Sequence, residues 1–165
     1  MIRSVIWTVI LSIVAGILQS TLLAKIAFFK VVPDLALCIL VYSAYVNGTM
    51  TGQVSGFFSG LFLDFLSAAP LGLNCFVRTL IGALAGVFKG AFFLDIIFMP
   101  VILCSLATII KAIILFLLNL LIGQAVPSYS FLSSLFWIEL ALNSLSGPLL
   151  FFVLRRLRQL SPGRS

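Results

Sequence analysis

The chain has no histidine and only four acidic residues. Without histidine, neither a Ser–His–Asp nor a Cys–His catalytic system can be assembled. The three cysteines, Cys38, Cys75 and Cys104, stand far apart and lack metal-ligand spacing. They suit small apolar fillers inside helices. Walker-type phosphate loops and zinc-protease signatures are missing as well. No enzymatic activity, cofactor or metal is therefore expected. Charge of either sign is scarce: 8% of the 165 residues are charged and 62% are hydrophobic. That balance excludes a soluble domain and indicates an integral membrane protein. The net charge of +6 does not form a basic patch interleaved with aromatics, so nucleic acid is not an expected partner.

What the sequence has is apolar runs. About 20 such residues cross a bilayer, so five or six spans with short loops use up the chain. The expected fold is an all-α bundle of about six transmembrane helices in a single polytopic domain. The expected spans are 5–24, 31–46, 49–66, 73–89, 101–122 and 131–154. The first is read as a retained helix, because its apolar run exceeds that of a signal peptide. The second opens on Pro33, suited to a first helical turn, followed by Asp34 near the positive end of the helix dipole. It is too short for a full span. It must begin before Pro33, lie in a thin place, or be buried among its neighbours. The stretch 90–100, with Asp95, is expected as a short linker at the membrane surface.

Between Gly48 and Gly90 run two ladders of glycine at four-residue spacing. One is Gly48, Gly52, Gly56 and Gly60; the next step of four lands on Asp64. The other is Gly82, Gly86 and Gly90, with Arg78 four residues ahead. Ser67 to Gly72, with Pro70, reads as the turn between them. Glycines on one helix face let another backbone approach, so the ladders are expected to pack helices, within the chain or against a partner's span. Asp64 and Arg78 lie at matching depth, roughly 8–9 Å from the turn at about 1.5 Å per residue. A pair between them would offset part of the cost of charge in the bilayer. Lys111 and Glu139 form a second candidate pair near the midplane. The functional reading of these four charges is a polar cavity for a small ligand or proton. The plainer reading is two ion pairs that fix helix association.

Six spans put both termini on one side. Cytoplasmic termini place Arg3, Lys89, Arg155, Arg156, Arg158 and Arg164 inside, against Lys25 and Lys30 outside, which is the orientation the positive-inside rule favours. The terminal arginines then anchor the last helix end, or bind anionic membrane lipid.

The order Pro33-Asp34-Leu35-Ala36-Leu37, Tyr42, the first glycine ladder with Gly60-Leu61 and Asp64, and Pro70-Leu71-Gly72 resembles the rod shape-determining MreD family. The resemblance is specific over roughly residues 33–74 and rests elsewhere on hydropathy and length. It marks Pro33, Asp34, Asp64, Pro70 and Gly72 as family-motif positions. It implies a bacterial inner-membrane protein that scaffolds lateral peptidoglycan synthesis without catalysis. The implied direct partner is MreC. MreB, the glycosyltransferase RodA and a class B penicillin-binding protein are implied in the same assembly. The alternative is a substrate-binding membrane subunit of an energy-coupling-factor-type vitamin importer, since fold-level likeness does not decide function. Such a subunit needs convergent polar groups near the outer face. The turns supply Asn74, Gln124, Ser128 and Tyr129 for that.

Overall fold

A helix apolar on every side has to be enclosed, and the run Leu35-Ala36-Leu37-Cys38-Ile39-Leu40-Val41 belongs to one. In the computed structural model, which describes residues 1–23, 31–67, 69–90, 98–123, 133–157 and 160, it becomes the centre of the bundle. The described helices are α1 (Ile2–Leu18), α2 (Leu35–Asn47), α3 (Thr49–Leu66), α4 (Leu73–Val87), α5 (Phe98–Ile122) and α6 (Ser134–Arg155). A π-helical turn, Gln19–Leu23, prolongs α1. Every residue of α2 from Ala36 to Ala44 is buried, and the helix touches all five others. Among the described residues, three helices are long and apolar enough to cross a membrane: Ile2–Thr21, Phe98–Ile122 and Ser134–Arg155. The large apolar side chains left exposed, among them Phe58, Leu121, Leu145 and Leu149, suit a surface solvated by lipid.

Of the three possibilities for the short second helix, enclosure is the one realised. Thirteen residues reach only about 20 Å at 1.5 Å per residue, against about 30 Å of hydrocarbon. One end of α2 therefore starts inside the bundle. Extended backbone at such depth is tolerated where protein surrounds it. Here the Gln19 side chain of the π-helical turn that prolongs α1 donates to the Pro33 carbonyl.

Successive helices alternate in direction. Lys89 Nζ donates to the Asn47 carbonyl at 3.0 Å, and Asn47 Nδ2 to the Leu160 carbonyl at 3.0 Å. These contacts gather the ends of α2, α4 and α6 at the pole opposite Pro70. Tyr42 of α2 meets Phe151 of α6 edge to face, with centroids 4.9 Å apart, near the same pole. Arg158 and Arg164, Lys25 and Lys30, Asp95, and the turn residues Gln124, Ser128 and Tyr129 lie outside the described residues.

The glycine ladders are consumed inside the chain, between α3 and α4. A Cβ at Gly52 would overlap the Gly82 carbonyl oxygen, and one at Gly56 that of Arg78. One at Gly60 would stand 2.5 Å from Cys75 Cα, and one at Gly86 would strike Thr49. Backbone rests on backbone along the hairpin. Gly48 and Gly90 serve differently from the rest. Gly48 has φ +99° at the junction of α2 and α3, with the Lys89 side chain against it. Gly90, at φ +73°, has nothing within 4 Å of a Cβ, so it is a turn residue and no part of the packing face. A further close approach escaped the four-residue spacing: Gly147 of α6 lies against Pro100 and Cys104 of α5.

Candidate functional site

The charges group differently from the expected hairpin pair. Asp64 does not meet Arg78. Its Oδ2 accepts from the amides of Gly72 at 3.0 Å and Cys75 at 3.1 Å. Its Oδ1 accepts from the Asn74 amide at 2.9 Å and Asn74 Nδ2 at 3.0 Å. The cause is local. A helix start leaves its first amides without partners, and Gly72, at the N-cap of α4 in a left-handed conformation, has no side chain to cap them. Gly60 lets α3 lie on Asn74 and Cys75, which carries Asp64 over those amides. The Gly-Leu-x-x-Asp and Pro-Leu-Gly stretches thus form one physical unit, a helix cap delivered from the neighbouring helix. Buried and holding four N–H groups at the positive end of α4, Asp64 needs no cation. Asp64→Ala is expected to cost about 1–2 kcal/mol, the size of a lost N-cap. Asp64→Asn, which can still accept, should cost less. Thermal melts in detergent compare them, and a neutral Asp64→Ala would refute the cap.

Arg78 turns instead to Asp34. Its Nη2 donates to Asp34 Oδ1 at 2.8 Å, and Lys111 Nζ donates to Asp34 Oδ2 at 2.9 Å and to Glu139 Oε1 at 2.8 Å. Two acids and two bases, one each from α4, α5, α6 and the residue capping α2, make a neutral chain of contacts. Asp34 is its hub. It also caps α2, with Oδ1 accepting from the Leu37 amide at 3.0 Å. Its own amide donates to Asn143 Oδ1 at 2.7 Å, while Asn143 Nδ2 donates to Thr108 Oγ1 at 3.0 Å.

Depth explains why Asp34 joins this network. Sequence position puts it at a helix start and so near the membrane surface. Because α2 is short and enclosed, that start is sunk to the level of Arg78, a turn and a half into α4. Asn143 was missed altogether. The available signal was a lone amide amid the apolar residues of α6, four positions after Glu139 and on much the same face.

The double contact of Lys111 bears on charge reversal. Were it paired with Glu139 alone, Lys111→Glu with Glu139→Lys would restore the bundle. With Asp34 2.9 Å from Nζ, the exchange sets a carboxylate against a carboxylate. The double variant is expected to remain as unstable as the singles, measured as monodisperse yield from membranes. Full recovery would contradict the shared contact.

Beside these charges opens a cleft of about 750 Å³ at the Pro70 pole. Asp34, Arg78, Lys111 and Glu139 line it, joined by Gln19, Ser20, Ser67, Asn74 and Ser133. Val31, Leu63 and Phe136 form apolar parts of the wall. Helix-borne groups therefore supply far more polarity at this pole than the turns alone suggested. The cleft can bind and orient a small molecule, and two cations offer anion recognition.

A family model described as rod shape-determining protein MreD matches residues 1–160. Neither a curated protein nor a solved structure matches the chain.

Proposed function

Because this chain belongs to the MreD family of rod shape-determining membrane proteins, we propose that it is a non-catalytic scaffold of the cell-elongation machinery. In this reading MreC binds it directly, and MreB, RodA and a class B penicillin-binding protein share the assembly. It crosses the inner membrane six times with both termini in the cytoplasm. Arg3, Lys89, Arg155 and Arg156 then lie on the cytoplasmic side, and Pro70 on the periplasmic side. The observation that carries the scaffold reading is the internal use of the charges and glycine faces: both are spent on holding this chain's own helices together. That makes a stiff body with apolar flanks for a partner's span. It moves the expected docking surface from the glycine ladders to lipid-facing positions.

The test is replacement of the resident MreD in a rod-shaped host, with photo-crosslinkers at exposed positions on three helices, Phe58, Leu120 and Leu149. Rods should be restored, and one of these faces should capture single-span MreC. A well-folded chain that leaves the cells round and captures no MreC from membranes would overturn the reading.

One observation favours a second reading, the substrate-binding subunit of an energy-coupling-factor-type importer: the polar cleft at the outer pole. A stoichiometric vitamin in the purified protein would support it.

A further inference from the structure

We propose that the cleft at the Pro70 pole holds an amphiphilic molecule bearing a phosphate or carboxylate group, and that Arg78 receives the anion. A guanidinium carries five N–H donors. Among the described residues only Nη2 of Arg78 has an acceptor, Asp34; Nε and Nη1, with three N–H groups between them, are buried and have none there. The side chain is 8% exposed and forms part of the cleft wall. Asp64 cannot serve as the missing acceptor from its present position, since the start of α4 occupies both its oxygens. Buried donors as a rule find partners, and a planar fork of N–H groups matches the oxygens of phosphate or carboxylate.

Volume and lining decide what carries the anion. About 750 Å³ is many times the size of a phosphate and within the range of organic-ligand pockets. Polar Gln19 and Asn74 share the wall with apolar Val31, Leu63 and Phe136. An organic anion with an apolar part fits both halves, while a bare ion fits one. An anionic lipid headgroup and a soluble organic phosphate share this chemistry. The proposal does not depend on which partner the protein scaffolds, because its readout is ligand retention and not complex formation.

Native mass spectrometry of the full chain in mild detergent tests it, with phosphatidylglycerol, phosphatidylcholine and glycerol 3-phosphate as probes. The expected result is a one-to-one adduct with phosphatidylglycerol, held at least tenfold more tightly than phosphatidylcholine. Preference for glycerol 3-phosphate would also support the site and assign it to a soluble phosphate. Arg78→Gln should weaken the adduct tenfold or more. Should that variant fail to fold, Ser20→Trp and Leu66→Trp fill the cleft from exposed lining positions without touching the ion network. Each should abolish the adduct while keeping the ligand-free melting temperature. Equal retention of both lipids with no glycerol 3-phosphate binding would overturn the proposal. So would an adduct indifferent to both tryptophans, or an acidic segment of a co-purifying protein crosslinked at Ser20 in place of any small molecule.

Discussion

Asp34→Asn is expected to destabilise the bundle by about 3–5 kcal/mol, the size of effect seen when one member of a buried ion network is removed. Two cations, Arg78 and Lys111, would then be left with a single acid, Glu139, which among the described residues is ion-paired with Lys111 and not with Arg78. Asparagine can still cap α2, so loss of the cap contributes little, and the effect reads the charge. Lipid sharpens this. Apolar side chains gain little by leaving hydrocarbon for a protein interior, so polar contacts and close packing carry more of the association between helices. The informative companion is Asp34→Asn with Arg78→Gln. It leaves Lys111 and Glu139 balanced, and it should be clearly more stable than the sum of the two single effects. Thermal unfolding in detergent, arranged as a double-mutant cycle, measures the coupling. A mild single variant, or strict additivity, would mean that Asp34 is not the hub.

Gly52→Leu is expected to cost about 3 kcal/mol or more, at the upper end of overpacking. The neighbour it meets is the Gly82 backbone, which cannot rotate away as a side chain could. Leucine has to drive α3 off α4. That also lifts Asp64 from the amides of Gly72, Asn74 and Cys75, so cap and interface should fail together. Phe57→Leu, on the exposed side of the same helix, should change the melting temperature little. If Gly52→Leu and Phe57→Leu melt alike, the hairpin does not pack as described.

The two changes report on features of unequal legibility. The small-residue faces of α3 and α4 could be read from the sequence, because four-residue glycine spacing projects to one helix face whatever surrounds it; that they meet each other and not a partner's span is seen only in the structure. The ion network could not be read in the same way. Matching charges by depth along one hairpin paired Asp64 with Arg78, and it overlooked that Gly72 leaves the α4 amides in need of an acceptor. Lys111 with Glu139 followed from adjacent antiparallel helices. The addition of Asp34 to Lys111 required knowing where α2 sits.

Composition and residue order by themselves determined that this is a helical membrane protein, which faces of α3 and α4 are small enough for another backbone to approach, and that its interior carries few and opposite charges. These are properties of single helices or of neighbours joined by a short turn. Tertiary structure alone decided that α2 is enclosed on all sides, which sinks its N-terminus to the level of Arg78 and makes Asp34 common to four helices. The reason is range. Asp34 lies 44 residues from Arg78, 77 from Lys111 and 109 from Asn143, and no periodicity along a chain encodes which distant helices surround its shortest one.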